Sequence, residues 1–502
     1  MTTTPGTPSA STSNVRYTAD QFRALFDPKG VIVAGASSHP GKFGFTTLHN
    51  ILASGYAGKV YATNREGEMI LGIQTLRSID EVPAGEVDLV VVCTPASTNP
   101  DLLRSSAAKG VRAAFITSAG YREAGPEGQE AETKLVALAH ELGMIVAGPN
   151  GQGLISTPAK LCAQIVAPYP APGRIGIASQ SGNFVSSFMN YSLQTGVGIS
   201  RAVSAGNAAA VGVADYLDFY ADDPETAVGL AYMENVDDGA SLIERLKRIS
   251  MKKPLVVLKG GATEAGQQAA ASHTGALASA DRVFDGAVKS AGVVRASTVE
   301  EAYDTAATFA TQPLPKGPNV AVVTTAGGWG VVTADAIARS SLNLMALPAD
   351  LLAQIDTKLP PRWSRSNPID LAGGETRDTI PEVLELVAAH PDVHAIVYLG
   401  IGIQSNTARL MRAGAYYPDH GLDRIVDFHE RQDRRFAEMA DELSRTFDKP
   451  ILTCTELAVA DPSNAGPAAV RATGRLCYPS SNRAVIALDH MWKYVQWRSR
   501  RM

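Results

Sequence analysis

The stretch "AAASHTGALASA" (Ala269–Ala280) sets one imidazole, His273, among alanine, serine, threonine and glycine, with no second histidine, cysteine or carboxylate beside it. That spacing does not make a zinc site, which needs several such ligands. A lone imidazole can act as a neutral nucleophile, because its ordinary pKa of about 6.5 leaves one ring nitrogen free near neutral pH. Attack on phosphorus through that nitrogen needs an acceptor on the other N–H, and room to move if phosphate is to be carried between two sites. Ala271, Ser272, Thr274, Gly275 and Ala276 leave that room. The stretch also fits a loop or helix-start histidine with no chemistry. A candidate acceptor is Glu234 in "LAYMENVDDG", at the end of an apolar run where an unpaired carboxylate is costly. A glutamate that simply points into water fits that position too.

Two further stretches suit anions. In "IASQSGNFVSSFMN" (Ile177–Asn190) an apolar run passes through Ser179, Ser181, Gly182 and Asn183 into a helical pattern. Free N–H groups at a helix start, with hydroxyls beside them, make a phosphate site. A plain N-cap by Ser181 or Asn183 fits the same residues. "VIVAGASSHPGKFG" departs from G-x-G-x-x-G, with Gly35 followed by Gly41 and Gly44. It suits a loop around the pyrophosphate of NAD or coenzyme A. After the next strand, "ATNREGE" offers Asn64 and Arg65 where an acid would take a ribose diol. That disfavours NAD and favours a ligand with an extra phosphate, NADP or coenzyme A. A turn glycine beside an ordinary surface arginine is the plain alternative.

The elements that position these residues are short β-branched runs alternating with amphipathic helical stretches. "VIVAGAS", "KVYATN", "DLVVVCTP", "AAFITSAG" and "MIVAGPN" form a first series, and "RIGIAS", "ISRAVSAGN", "AVGLAYMEN" and "PLVVLKGG" a second. "NVAVVTTAGG", "DVHAIVYLG" and "PILTCTEL" form a third, and "APYPAPG" and "TQPLPKGP" read as linkers. Such alternation predicts parallel sheets covered on both faces. Most runs end in Gly, Ser, Thr, Pro or Asn, at the strand ends where open α/β sheets bind ligands. The expected fold class is α/β, three consecutive doubly wound parallel-sheet domains: a Rossmann-like domain over residues 20–166, then flavodoxin-like domains over 172–310 and 317–488. Residues 1–19 and 489–502 are expected to be tails.

The 502 residues suffice for about three domains. A net charge of −5 offers no broad nucleic-acid surface, and "YVQWRSRRM" is expected to be solvated. Cys93, Cys162, Cys454 and Cys477 form no CxxC and suit reduced core thiols of a cytoplasmic protein. The Thr/Ser/Pro-rich start carries no apolar segment, and no run is long enough to span a bilayer.

Taken in order, "VIVAGAS…PGKFG", "AGPNGQG", "GIASQSGNF", "SAGN", "YMENVDDG", "LKGGATEAGQQAAASHTGALA", "TTAGGWG" and "NPIDL" resemble the NDP-forming acyl-CoA synthetases, the group that includes succinyl-CoA ligase and ADP-forming acetyl-CoA synthetase. The resemblance runs from about Phe22 to about Leu488, and "ASHTGALA" is its most specific part. It implies that acyl-CoA and phosphate exchange to acyl phosphate and free CoA. The phosphoryl group then moves to His273, and the loop delivers it to ADP. By the same resemblance Glu234 holds the second ring nitrogen, and Ser179, Ser181, Gly182, Asn183 and Gly275 bind phosphate. Gly35, Ser37, Lys42, Arg65, Thr94, Ser118 and Asn150 fall in the CoA loops, making the first domain CoA-binding. No resident metal is implied.

The family also uses an ATP-grasp module, for which this sequence offers no candidate. The resemblance therefore implies an α-type subunit in an oligomer, with ATP, ADP and magnesium bound through a separate ATP-grasp β-type subunit. Five residues depart from the family pattern: Gly151, Ala208, Ala210, Ala262 and Trp329. Loss of polar groups there is expected to suit a carboxylic acid bulkier or less charged than acetate or succinate. A non-catalytic CoA or acyl-CoA scaffold is the main competing reading. An NAD(P) oxidoreductase ranks last, since it has no use for His273.

Overall fold

The computed structural model describes residues 17–166, 168–234, 239–268, 281–371, 378–455 and 463–501. The first sheet contains β1 (Gly30–Ala34), β2 (Lys59–Thr63), β5 (Leu89–Val92), β6 (Ala113–Ile116) and β7 (Ile145–Ala147). A small hairpin of β3 (Met69–Ile70) and β4 (Ile73–Gln74) follows β2. The runs GVIVA, LVVV and AAFI are buried along their whole length, as a parallel sheet covered on both faces requires.

The second sheet holds β8 (Gly153–Ser156), β9 (Leu161–Gln164), β10 (Pro172–Ser179), β11 (Ile199–Ser204), β12 (Val228–Met233), β13 (Leu255–Lys259) and β14 (Val294–Ala296). The third holds β15 (Asn319–Thr324), β16 (Asn343–Leu344), β17 (Ile369–Asp370), β18 (Ala395–Leu399), β19 (Ile451–Cys454) and β20 (Cys477–Tyr478). The strand orders are β2-β1-β5-β6-β7, β14-β13-β12-β10-β11-β8-β9 and β16-β15-β18-β19-β20, with β17 beside β15. In the first two sheets the first parallel strand lies between the second and the third, and in the third sheet β15 lies between β16 and β18, so the chain reverses direction across each sheet at one point. The crevice beyond the strand ends at such a switch point is where open α/β sheets bind ligands. The three parallel α/β sheets agree with the sequence reading.

Two segments fall differently from the pattern read along the chain. β8 and β9 precede the proline-rich segment, yet β8 runs antiparallel beside β11 and β9 antiparallel beside β8, so the hairpin extends the second sheet. The hairpin also touches the first unit, where Asn50 Nδ2 donates to Gln164 O at 2.6 Å. Residues 489–502, expected as a tail, are helical as far as Ser499 within the helix Ser481–Ser499. Met491, Tyr494 and Trp497 recur every three residues and bury one stripe of that helix. Trp497 Nε1 donates to Ser290 O at 2.9 Å. A Cβ on Gly292, at φ +75°, would lie 2.2 Å from the indole ring. The arginines that follow Trp497 concealed the stripe.

Shared apolar cores join the sheets. Phe22 and Phe26, from the helix Ala19–Phe26, stack on Phe219 of the second unit. Phe188, Tyr303, Val322 and Leu488 belong to one core spanning the second and third units. Arg201 is buried where the first two units meet, between Asp27 and Asp223, with Nη1 2.5 Å from Ser156 Oγ. None of the four cysteines is joined in a disulfide, and burial pushes the Cys162 and Cys477 thiols up to about 12. Among the described residues no helix is long and apolar enough to cross a membrane.

Candidate functional site

At the switch point of the first sheet, β1 is followed by Gly35, at φ +85°. A Cβ there would meet Thr94 Cγ2 at 2.8 Å. The helix Phe43–Ala53 then packs so closely that a Cβ on Gly44 would lie 2.1 Å from Gly35 O. Lys42 is the N-cap residue and makes no side-chain cap, so the first N–H groups of this helix face the loop. Ser37 Oγ accepts from His39 N at 3.1 Å and shapes the turn. Lys42 and Arg65 are exposed on this rim.

A buried residue that the sequence reading passed over gathers the other loops. Asn99 Oδ1 accepts from Thr94 Oγ1 at 3.3 Å, and its Nδ2 donates to Ser118 Oγ at 3.0 Å and Tyr121 OH at 2.7 Å. Asn150 N donates to Ser118 O at 3.1 Å. Gly35, Thr94, Ser118 and Asn150 are therefore linked neighbours at one end of the sheet. Asn99 left no signal of its own, since "TNP" also reads as an ordinary helix start.

Asn150 leads into the second unit. Its Nδ2 donates to Asn207 Oδ1 at 3.3 Å, and Asn207 Nδ2 donates to Glu123 Oε2 at 2.5 Å and Glu132 Oε2 at 2.7 Å. Gly151, one of the departures from the family pattern, has a steric reason: a Cβ would lie 2.5 Å from Ser204 O. Ala208 stands at φ +52°, and Ala210 O accepts from Tyr17 OH at 3.2 Å. Gln152 Nε2 then donates to Asn183 Oδ1 at 3.4 Å, at the second switch point.

There β10 ends in Ser179, which is buried and closes a tight turn. Its Oγ donates to Ser181 O at 2.6 Å and accepts from Ser181 N at 3.1 Å. The helix Gly182–Thr195 follows, with Ser181 as N-cap residue and no side-chain cap bond. The plain-cap alternative is thus not what the side chains do, and the helix presents its N–H groups and positive dipole end outward. The third sheet repeats the turn. Thr324 Oγ1 donates to Ala326 O at 2.8 Å and accepts from Ala326 N at 3.0 Å, ahead of the uncapped helix Gly327–Ala338. That likeness was hidden by the change from Ser-Gln-Ser to Thr-Thr-Ala.

Glu234 follows β12 and is 8% exposed. Three partners hold it. Its N–H donates to Gln180 Oε1 at 2.5 Å, its carbonyl accepts from Lys259 Nζ at 2.8 Å, and its Oε1 accepts from Tyr232 OH at 3.0 Å. Burial and the neighbouring carboxylate push the Tyr232 phenol up, so it remains a donor. Its ring stacks on Phe184 at a centroid distance of 4.0 Å. Gln180, unnoticed in the sequence, thus ties Glu234 to the Ser179–Asn183 turn. His273 and Gly275 lie outside the described residues. Among the described residues no cluster of three His, Cys, Asp or Glu side chains suits a metal ion.

Comparison with known proteins agrees with this layout. A CoA binding domain matches residues 29–156, a succinyl-CoA ligase like flavodoxin domain residues 172–309, and a ligase-CoA domain residues 320–408. The alpha subunit of acetate–CoA ligase [ADP-forming] I from Pyrococcus furiosus is 34% identical over 488 residues, covering 95% of this chain and 99% of that protein. Acetate–CoA ligase [ADP-forming] I from Archaeoglobus fulgidus is 36% identical over 375 residues, covering 74% of this chain and 54% of that protein. The structure of the dinucleotide forming acetyl-coenzyme A synthetase 1 of Ca. Korarchaeum cryptofilum, in complex with phosphate and ADP, superposes with a TM-score of 0.82 at 30% identity, covering 96% of this chain and 98% of that one. With the sheets, the strand-end loops and these matches in agreement, the chain belongs to the alpha-subunit family of ADP-forming acetyl-CoA synthetases, a family of ligases.

Proposed function

We propose that this chain is the CoA-binding, phosphohistidine-carrying subunit of an NDP-forming acyl-CoA synthetase, which converts a carboxylic acid, CoA and ATP reversibly to acyl-CoA, ADP and phosphate. The observation that carries the reading is the junction at the second switch point. A buried carboxylate, Glu234, is fixed from three sides and tied through Gln180 to an uncapped helix start. The helix start suits phosphate. The carboxylate suits the N–H of an imidazole that becomes positively charged as it accepts phosphoryl. His273 is the proposed imidazole.

In this reading CoA lies along Gly35, Ser37, Lys42, Arg65, Thr94, Ser118 and Asn150, with its thiol directed toward the second unit. Phosphate oxygen attacks the thioester carbonyl, and CoA leaves as the thiol. Ser179, Ser181, Gly182, Asn183 and Gly275 hold the phosphoryl end of the acyl phosphate. A ring nitrogen of His273 attacks phosphorus, and the carboxylate of the acid departs. The reading gives nucleotide binding, with its magnesium, to an ATP-grasp partner chain. The match along 99% of a protein named as an alpha subunit supports that partner.

The test is phosphorylation of the purified chain by labelled phosphate in the presence of acyl-CoAs ranging from acetyl to aromatic. We expect acid-labile, base-stable label that requires an acyl-CoA and is absent in His273→Ala. A chain that binds CoA but takes no label, alone or with an ATP-grasp partner, would instead be a non-catalytic CoA scaffold.

A further inference from the structure

Lys259 is the last residue of β13, level with Met233 of the neighbouring β12. It is 7% exposed, and among the described residues it forms no ion pair. Its Nζ donates instead to two main-chain carbonyls, Glu234 O at 2.8 Å and Gly260 O. These carbonyls lie just past the last rungs of two adjacent strands, in a buried place where each needs a donor. An ammonium supplies three donors from one atom. On its other side Nζ lies 5.7 Å from the ring centroid of Phe284, in the helix Asp281–Ser290. Arg295 packs against the same ring at 5.8 Å and pairs with Asp281 at 2.6 Å. Lys259 therefore touches the backbone of Glu234 after β12, the backbone of Gly260 after β13, and the helix that begins at Asp281.

Burying an ammonium against carbonyls is costly for packing alone, since an apolar side chain would fill the space more cheaply. The arrangement makes sense if the two strand ends must be held in one relation. We propose that Lys259 is a positioning residue for the phosphoryl-transfer step: by clamping Glu234 O to Gly260 O it fixes the Glu234 carboxylate relative to both flanks of the 261–280 segment. The inference rests on the phosphohistidine reading above and assigns it a residue outside the reacting groups.

The test compares labelling rates of wild type, Lys259→Met, Glu234→Gln and the double variant at saturating acyl-CoA, with CoA affinity and melting temperature measured on each. Lys259→Met keeps the length and removes the donors. It is expected to slow labelling about tenfold or more, with CoA affinity within about twofold of wild type because the CoA loops lie on the first sheet. The decisive reading is the cycle: in the Glu234→Gln background, Lys259→Met should produce no further slowing, because it acts through Glu234. A general structural defect would multiply with Glu234→Gln and lower CoA affinity as well. Lys259→Gln, which retains an amide donor, is expected to recover part of the rate and serves if the Met variant does not fold. Labelling of Lys259→Met at the wild-type rate, or independent effects of the two substitutions, overturns the proposal. Absence of label in wild type overturns the parent reading, and this one with it.

Discussion

At the scale of single residues, the Glu234 half-site depends on what is missing as much as on what is present. Gly260 has no side chain because none fits. A Cβ there would lie 2.5 Å from Tyr232 OH and 3.3 Å from Glu234 Cγ. Tyr232 cannot retreat easily, since its ring is stacked on Phe184. Gly260→Ala is therefore expected to separate Tyr232 from Glu234. We expect it to cost about 1–3 kcal/mol of stability through overpacking and to slow labelling about tenfold. Thermal melting and labelling kinetics check the two parts separately, and a variant with wild-type labelling would show that the Tyr232 contact is dispensable. The sequence alone marked His273, Glu234 and the serines, because nucleophiles, strand-end acids and hydroxyls carry a chemical signature. It did not mark Asn99, Gln180, Lys259 or Gly260. Their roles depend on which strands become neighbours, and strand order leaves no trace in the residue types themselves.

At the scale of elements, sequence patterning was most informative where strands were buried on both faces, because their apolar runs are continuous. It was least informative for β8 and β9, which sit at a sheet edge, and for the two-residue strands β16, β17 and β20. The glycine-rich turn was weak as a pattern yet proves strict as geometry. Gly44 lets the helix Phe43–Ala53 press against the end of β1: a Cβ there would lie 2.1 Å from Gly35 O and 2.9 Å from Gly35 C. Both obstacles are backbone, so neither can swing aside. Gly44→Ala is expected to push the helix start away from the loop, costing about 1–3 kcal/mol and weakening CoA binding by about tenfold. Calorimetric titration with CoA, alongside a melting curve, measures both. Unchanged CoA affinity in a destabilised variant would place the cofactor's pyrophosphate elsewhere.

At the scale of the whole molecule, the helix Ser481–Ser499 unites the second and third units. It packs on the helix Val299–Thr311, where Arg483 pairs with Asp304 at 2.6 Å. His490 is largely covered at the same junction, with Nδ1 3.0 Å from Thr305 Oγ1 and Nε2 3.4 Å from Glu301 Oε1. Burial pushes the imidazole down to about 4, outweighing the Asp489 carboxylate, which favours a charged ring, while the Lys493 ammonium adds to the fall. The sign follows from where each state takes its proton. Above about pH 6.5 the ring is neutral in both folded and unfolded chains and contributes nothing to pH dependence. Between about 6.5 and 4 only the unfolded chain is protonated, so stability falls with pH across that window, by about 2 kcal/mol at pH 5. His490→Gln removes the titration while keeping a polar side chain at the junction. Denaturant unfolding at about pH 7.5 and pH 5 should show a smaller acid loss in the variant than in wild type, by about that amount. Equal losses would mean that the ring is hydrated and takes its proton in the folded protein as readily as in the unfolded one.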